Sequence, residues 1–409
     1  MNRKYKVKII NDPVHGFITV SSPFLYSLLE HRYFQRLRNI KQLGLTYLVY
    51  PGACHNRLQH ALGAMHLMGR ALDTLKGKGH EVTRREMEMA LAAILLHDIG
   101  HGPFSHTLES SIVEEIPHET ISMIFMKYLN MEFGGKLDLA TEIFSKKYKK
   151  RFLNELVSGQ LDVDRLDYLR RDSFFSGVVE GMIGIERIIS MLDVHNDELV
   201  VEAKGIYSIE KFLLSRRLMY WQVYLHKTVL SAETVLTQIL RRAKYLVRNG
   251  EKLFASPPLS FFLSNPVDIS VFVPENTEAL NHFAMLCDGD IESAAMVWTS
   301  HPDKILSRLC KMLTCRILPR AELSASPFSE DVTEEKRQYV KRKFGLTDIE
   351  AGYFVVSDTV SNTAYSPDKQ SIIIKYNDGA LMDIFEASDM LKHSNIDEKV
   401  YKHVLVYPK

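Results

Sequence analysis

The chain has 409 residues, which suggests roughly two or three domains at about 150 residues each. Hydrophobic residues make up 46% of it, aromatic residues 10% and charged residues 25%, and this ordinary globular composition excludes disordered, collagen-like and low-complexity proteins. Lys and Arg number 51 against 50 for Asp and Glu, so the formal net charge of +1 provides no overall attraction to nucleic acid or to a membrane surface.

No segment has the pattern of a membrane span or a signal peptide. The longest apolar run, Met89 to Leu96, is far shorter than the roughly 18 residues that cross a bilayer, and the first residues lack an apolar centre. We therefore expect a cytoplasmic protein with no membrane partner. The four cysteines are too few and too unevenly placed for a disulfide framework, so we expect them to be reduced.

The first 250 residues are predicted to be helical after a short hairpin. Residues 5–20 alternate around a turn and predict two short strands. An apolar stripe predicts a helix from about Arg57 to Lys76, and a capping box of Thr83 and Glu86 opens a second helix that is expected to stop near Gly100. Further helices are expected at about 118–130, 138–145, 151–172, 182–192 and 208–249. Together they predict an all-α bundle.

The remainder of the chain changes in character. Pro and Ser residues at about 252–266 indicate a boundary, and a few helices follow. The turn Asn377-Asp378-Gly379 lies between two apolar runs and predicts a hairpin, and Tyr401 to Tyr407 alternates like a strand. We expect three parts: a hairpin and helical bundle (1–250), a helical extension (251–320) and a small α+β domain (321–409).

Histidine is concentrated in one region, because eight of the 16 histidines lie between His55 and His118. His97 and Asp98 are adjacent at a predicted helix end, and His60 lies on the neighbouring helix. Imidazole and carboxylate together suit Mn, Fe, Ni or Zn, whereas an all-oxygen site would suit Mg. A fourth ligand could come from residues spaced to share one helix face, namely Asp164, Tyr168 and Asp172.

Taken singly, these residues have ordinary explanations. A lone histidine is more often a core or surface residue than a ligand, and the acidic segment 162–172 is typical of a solvated helix face. The segment His97 to His106 is different, because it places three histidines and a carboxylate within ten residues, interrupted by glycines and a proline. That pattern excludes a surface helix stripe.

Several ordered segments resemble the HD-domain phosphohydrolases, and among them most closely the deoxynucleoside triphosphate triphosphohydrolases. The segments are NDPVHG (11–16), FQRLRNIKQLG (34–44), PGACHNRLQH (51–60), HDIGHGPFSH (97–106), HE (118–119) and DVDRLDY (162–168). The resemblance covers roughly residues 5–250. It implies a mainly α fold, an HD-domain helical bundle, to which this chain adds a small α+β C-terminal region.

The resemblance also implies roles for individual residues. The divalent metal (Mn, Fe, Ni, Zn or Mg) would be held by His60, His97, Asp98 and Asp164. The residues expected to act around it in catalysis are His101, His106, His118 and Glu119, with His106 protonating the leaving 5′ oxygen and His118 with Glu119 orienting or supplying the proton. The nucleotide substrate would contact Gln42, Leu43, Arg57, Arg165, Tyr168 and Asp172. Tyr168 against C2′ would favour deoxynucleotides.

One position departs from the pattern of that branch. Gln222 stands where the branch carries an arginine for the triphosphate, and a neutral amide cannot supply the contacts of a guanidinium. Four nearby cationic or imidazole residues could compensate, namely Arg216, Arg217, His226 and Lys227. The triphosphate specificity therefore depends on this helix.

Regulation and assembly are inferred from the resemblance alone. An activating nucleotide would bind at a subunit interface against Lys8, Ile9, Asn11, Glu30, Gln35 and Arg38, unless this hairpin and helix only pack a dimer. We expect a homo-oligomer, either a dimer or a tetramer. The basic run at 146–151 has one tyrosine and no further aromatic platform, so a solvated loop is favoured over a nucleic-acid site.

The sequence thus favours a metal-dependent phosphohydrolase that converts a dNTP to deoxynucleoside and triphosphate. Two alternatives remain open at this stage. One is an HD phosphohydrolase acting on a nucleoside monophosphate or a signalling nucleotide, which Gln222 favours. The other is a non-catalytic nucleotide sensor, against which the full set of metal ligands argues.

Overall fold

The computed structural model describes residues 7–104, 111, 113, 116–272, 277–363, 365, 370–394 and 397–409. Its first helices are α1 (Pro23–Glu30), α2 (Arg32–Gln35), α3 (Arg57–Gly77), α4 (Arg84–Leu96), α5 (His118–Glu132), α6 (Asp138–Phe144), α7 (Arg151–Ser158), α8 (Val163–Ser176), α9 (Ile185–Met191), α10 (Ile206–Met219) and α11 (Lys227–Arg248). The later ones are α12 (Pro257–Ser264), α13 (Thr277–Met285), α14 (Asp288–Trp298), α15 (Lys304–Thr314), α16 (Glu330–Phe344), α17 (Asp348–Ala351) and α18 (Ile384–Ala387). This confirms the mainly α fold class.

The strands form three small sheets. They are β1 (Lys8–Asp12), β2 (Gly16–Val20), β3 (Leu192–His195), β4 (Glu198–Glu202), β5 (Arg320–Ser324), β6 (Val356–Asn362), β7 (Ile373–Lys375), β8 (Leu381–Asp383) and β9 (Val400–Tyr407). The sheet orders are β1-β2, β3-β4-β7-β8 and β5-β9-β6. The predicted N-terminal hairpin, the hairpin at residue 378 and the strand ending at Tyr407 are confirmed.

Two predicted helices are in fact broken. The helix expected over 151–172 is split into α7 and α8, because the side chain of Asp162 accepts hydrogen bonds from the backbone N–H groups of Gly159 (2.9 Å) and Arg165 (2.8 Å) and starts a new helix. The helix expected over 208–249 ends in a π-helical turn at 220–224, and His226 caps the start of α11. The hairpin of β3 and β4 was not predicted.

The predicted metal ligands lie where α3 packs against α4 and α8. Capping boxes fix the start of two of these helices, with Asn56 and Gln59 opening α3 and Thr83 and Glu86 opening α4. Gly63 lets α3 and α8 approach closely, since a Cβ there would lie 1.9 Å from Oδ1 of Asp167 and 2.3 Å from Nη2 of Arg171. The caps therefore fix where α3 and α4 begin, and Gly63 sets how closely α3 and α8 pack.

The division into three parts stays a prediction. Strand β7 from the C-terminal segment pairs in parallel with β4, with Val200 opposite Ile373. Strand β5 also pairs with β9 across the expected boundary at residue 320. One contiguous hydrophobic cluster includes buried residues from Ile18 to Tyr407. The C-terminal segment is thus packed into the same core as the helical bundle.

Candidate metal centre

Four predicted ligands converge from three different helices. His60 lies in the first turn of α3, His97 is the C-cap residue of α4, Asp98 follows it, and Asp164 is in the first turn of α8. His60, His97 and Asp164 each offer one ligand atom, and these atoms lie within 4.8 Å of one another. A divalent cation could therefore reach all three.

Distances between individual atoms define the centre. Oδ1 of Asp164 lies 3.0 Å from Nε2 of His60 and 3.4 Å from Nε2 of His97. Asp98 completes the set, with Oδ1 at 3.3 Å from Nε2 of His97 and Oδ2 at 3.8 Å from Nε2 of His60. The imidazoles and carboxylates therefore face one common space.

The imidazoles are oriented as metal ligands are. Nδ1 of His97 lies 2.7 Å from the carbonyl oxygen of Ile94, and Nδ1 of His60 lies 2.8 Å from Oδ2 of Asp167. Because these acceptors require the proton on Nδ1, each Nε2 carries a lone pair. Both Nε2 atoms are buried and make no hydrogen bond among the described residues. A donor set of two such nitrogens and two carboxylates fits a divalent cation.

The electrostatics of the centre favour a cation. Burial lowers the pKa of His60, but the adjacent carboxylates of Asp164 and Asp167 outweigh it and raise that pKa to about 10. Burial raises the pKa of Asp164, whereas the adjacent imidazoles of His60 and His97 lower it far below the usual range. The carboxylate field that attracts a proton to His60 also attracts a metal ion in its place.

The turn after α4 is fixed from two sides. Nη1 of the buried Arg36 donates to the carbonyl oxygens of Ile99 (3.0 Å) and His101 (2.7 Å). Gly100 donates its N–H to Oγ of Ser122 at 2.9 Å, and a Cβ at Gly100 would lie 2.2 Å from the backbone nitrogen of Ser122. The HDIGH segment therefore requires a glycine at its fourth position.

A second group of residues borders the metal centre. His101 lies with Nε2 at 3.3 Å from Oδ1 of Asp98, and its ring stacks on that of His118. Burial and the guanidinium of Arg57 hold the pKa of His101 well below its usual range. Nε2 of His118 lies 3.4 Å from Oε1 of Glu119, whose side chain is exposed. His106 lies outside the described residues.

The predicted substrate residues surround the centre to different degrees. Nη1 of Arg57 lies 2.6 Å from Oδ2 of Asp98, and Arg165 pairs with Asp162 and donates to the carbonyl oxygen of Gly159 at 2.7 Å. Burial and neighbouring Tyr220 raise the pKa of the Tyr168 hydroxyl far above its usual range. The ring of Tyr168 lies 6.5 Å from that of His60, measured between centroids.

Asp172 and Gln42, which were predicted to contact the substrate, also make hydrogen bonds within the protein. The two oxygens of Asp172 lie 2.7 Å from Nε2 of His55 and 2.8 Å from the hydroxyl of Tyr224. Gln42 holds the backbone by donating its N–H to His55 at 2.9 Å, and its buried Oε1 makes no hydrogen bond to a described residue. The neighbouring Leu43 is half-buried and packs against the core.

Gln222 lies in the π-helical turn, where Nε2 donates to Oε1 of Glu180 at 3.2 Å. Of the residues expected to compensate for it, Arg216 is buried and donates to Oε1 of Gln160 at 3.2 Å. Burial and Lys227 lower the pKa of His226, which is committed to capping α11.

The residues expected to form a regulatory site lie on the N-terminal hairpin and on α1, α2 and the turn that follows. Lys8, Ile9, Asn11, Glu30 and Arg38 are exposed, and Gln35 is half-buried. Nε of Arg38 donates to Oε1 of Gln35 at 2.6 Å, and Gln35 donates to the carbonyl oxygen of Leu29 at 2.7 Å. The surface is therefore accessible in a single chain.

Sequence reasoning missed the residues that support the ligands. Asp167 binds His60, and Asp167 is itself bound by His15 and Arg171. The spacing of Asp167 and Arg171 by four residues is a signal of a helix ion pair, and it could have identified this pair. The contact with His15 joins positions 152 residues apart, and no local pattern indicates it.

Comparisons with known proteins agree with the geometry. Residues 57–172 match the HD domain and residues 183–252 match the HD associated region. The chain is 33% identical to the uncharacterized protein YwfO of Bacillus subtilis, over 98% of this chain and 92% of that protein. The chain belongs to the HD-domain phosphohydrolases. This family binds divalent metals, and the chain is accordingly a metal-dependent phosphohydrolase.

Two further HD-domain relatives bear on function. The crystal structure of a phosphohydrolase from Bacteroides thetaiotaomicron is 51% identical with a TM-score of 0.95, covering 99% of this chain and 100% of that chain. The deoxynucleoside triphosphate triphosphohydrolase SAMHD1 of Gallus gallus is 30% identical, and the match covers 58% of this chain and 45% of that protein. The chain thus resembles the dNTP triphosphohydrolase branch of the HD phosphohydrolases. Among the described residues, no helix is both long enough and apolar enough to cross a membrane.

Proposed function

We propose that this HD phosphohydrolase converts a deoxynucleoside triphosphate to deoxynucleoside and triphosphate, using a metal held by His60, His97, Asp98 and Asp164. The observation that carries the proposal is the pair of buried imidazole Nε2 atoms, neither of which makes a hydrogen bond to a described residue, facing the carboxylates of Asp98 and Asp164. The similarity to a relative that is named as a dNTP triphosphohydrolase supports the substrate class.

The cation, when bound, polarises a phosphoryl oxygen and lowers the pKa of a bound water. The chain's own groups do the rest of the chemistry. Arg57 and Arg165 carry positive charge for the phosphates, and Tyr168 lies where it can limit the space around C2′ of the sugar. His118, oriented by Glu119 and stacked on His101, supplies a proton to the 5′ oxygen as the bond between that oxygen and the α-phosphorus breaks. His106 is the alternative donor of this proton, and His118 with Glu119 would then orient it.

Product analysis tests the proposal. Protein loaded with Mn²⁺ is incubated separately with the four dNTPs, GTP and dGMP, and each dNTP is also tested together with GTP as activator. The products are separated by chromatography. We expect deoxynucleoside and intact triphosphate from at least one dNTP, with no turnover by the double variant His97→Ala/Asp98→Ala. The matched control is His80→Ala, which removes a histidine paired with Asp193 away from the centre. No dNTP turnover with full metal loading would overturn the proposal.

Gln222 favours a second candidate, an HD phosphohydrolase for a smaller phosphoester such as a nucleoside monophosphate or a signalling nucleotide. Its amide donates to the carboxylate of Glu180 and carries no charge, so this position offers no cation to a triphosphate. Orthophosphate released from dGMP alone in the same assay would establish this candidate.

The N-terminal surface is the proposed site of an activating nucleotide, shared between two copies of the chain. Lys8 and Arg38 would provide positive charge for its phosphates, and the exposed carboxylate of Glu30 would accept hydrogen bonds from a base. The proposal requires a dimer or tetramer. Light scattering measures the oligomeric state of the wild type and of Glu30→Gln with and without dGTP. We expect Glu30→Gln to lose any nucleotide-dependent assembly or activation and to keep the metal content of the wild type.

A further inference from the structure

The N-terminal hairpin reaches into the metal centre through one buried carboxylate, that of Asp167. Asp167 is fully buried on α8, and its oxygens are approached by two imidazoles and one guanidinium. Oδ1 lies 2.6 Å from Nε2 of His15, and Oδ2 lies 2.8 Å from Nδ1 of His60. His15 belongs to the turn between β1 and β2, whereas His60 is a metal ligand.

The remaining capacity of Asp167 is taken by Arg171. Nε of Arg171 donates to Oδ2 and Nη2 donates to Oδ1, both at 2.9 Å. A carboxylate offers about four acceptor positions, so these two bonds and the two imidazoles satisfy Asp167 completely. An ionised carboxylate only accepts, so the facing nitrogen of each imidazole must carry the proton.

The hairpin also holds the other end of Arg171. Nη1 of Arg171 donates to Oδ2 of Asp12 at 2.8 Å. Oδ1 of Asp12 accepts the backbone N–H groups of Val14 (3.0 Å) and His15 (2.9 Å), which shapes the turn that presents His15. Asp12, His15, Asp167 and Arg171 therefore form one network, in which two members come from the hairpin.

We infer that His15 is a positioning residue of the metal centre, which acts through Asp167 to fix the tautomer and the direction of His60. When His15 donates to Oδ1 of Asp167, the other oxygen, Oδ2, stays aligned with Nδ1 of His60. The lone pair on Nε2 of His60 then faces Asp98 and Asp164. Loss of an outer partner of this kind costs about 10- to 100-fold in metal affinity. The metal centre is therefore completed by a segment outside the residues that match the HD domain.

The inference rests on the metal site of the proposed function, and its test needs no substrate. The dissociation constant for Mn²⁺ alone is measured by competition with a fluorescent chelator for the wild type and three variants. His15→Leu removes the donor, His15→Gln places an amide N–H near the position of Nε2, and His80→Leu is the control. His80 contacts Asp193 at 2.5 Å, and Asp193, like Asp167, keeps a cationic partner, Lys375, when the histidine is removed.

We expect His15→Leu to weaken Mn²⁺ binding about 10- to 100-fold, His15→Gln to stay within about threefold of the wild type, and His80→Leu to bind as the wild type does. Equal weakening in His15→Leu and His80→Leu, or unchanged binding in His15→Leu, would overturn the role of His15. If His15→Leu does not fold, His15→Asn replaces it, because its amide is too short to reach Asp167. Absence of Mn²⁺ binding by the wild type would instead overturn the metal centre itself.

Discussion

His101 and His118 stack face to face, with 3.7 Å between their ring centroids and 18° between their planes. One ring belongs to the turn that follows the proposed metal ligands His97 and Asp98, and the other begins α5. Since Arg36 and Ser122 fix the turn against its surroundings, the stack holds His118 at a constant position beside the metal centre. This position agrees with the proposed role of His118 in protonating the leaving group.

Replacing His118 tests this arrangement. We expect His118→Ala to lower kcat by at least about 100-fold while the metal content stays that of the wild type, because general acid catalysis contributes about 10²- to 10⁴-fold. Glu119→Gln should have a smaller effect, since the side chain of Glu119 is 64% exposed. Steady-state kinetics and elemental analysis on the same samples check this. Joint loss of kcat and metal would make His118 a metal ligand.

Gly63 sets the approach of α3 to α8. A methyl group there would overlap Asp167 and Arg171, so Gly63→Ala should destabilise the protein by at least about 2 kcal/mol and weaken metal binding. Gly69 is the control on the same helix, because a Cβ there would lie 3.7 Å from Cδ2 of Leu91, an ordinary contact. Gly69→Ala should be neutral or stabilising. Equal melting temperatures for the two variants would contradict this explanation.

Glu86 makes the stability of α4 sensitive to acid. Burial raises the pKa of Glu86, but hydrogen bonds from Tyr148, Thr83 and Lys150 outweigh it and lower the pKa to about 2. A lowered pKa in the folded state means that the stabilisation is complete above the unfolded value of about 4.5 and is lost as the pH falls through about 2. We expect this contribution to be about 2 kcal/mol at neutral pH.

Thermal unfolding as a function of pH measures that contribution. Glu86→Gln should lower the melting temperature at pH 7 and reduce the loss of stability between about pH 4.5 and pH 2. Glu350→Gln is the matched control. Glu350 has the same position in the capping box of α17 as Glu86 has in that of α4, but α17 is more exposed to solvent than α4. Identical acid profiles for the wild type and Glu86→Gln would show that Glu86 is not the sensitive group.

The candidate ligands could be proposed from the sequence because their signals are local. The dipeptide His97-Asp98, the glycines after it and the caps of α3 and α4 each lie within a few residues of the features they determine. The hairpin at Asn377-Asp378-Gly379 was predictable for the same reason. Where one short segment carries both the geometry and the chemistry, the pattern of residues is sufficient.

The missed features depend on contacts between distant segments. Asp162 looks like one more residue of an acidic helix face, and its capping role appears only once Gly159 turns back towards it. Strand β4 is short, and its partner β7 lies far along the chain. The pairing of His15 with Asp167 likewise requires the hairpin to pack on α8. Such features follow from tertiary packing, which no local pattern specifies.

The position of the bond that breaks tests the proposed reaction most directly. Turnover of dGTP by the Mn²⁺-loaded protein in ¹⁸O-labelled water, followed by ³¹P NMR and mass spectrometry, identifies both the products and the labelled atom. We expect deoxyguanosine without label and intact triphosphate carrying one ¹⁸O, because water attacks the α-phosphorus and the 5′ oxygen leaves. Orthophosphate or pyrophosphate as the first product, or label in deoxyguanosine, would contradict it.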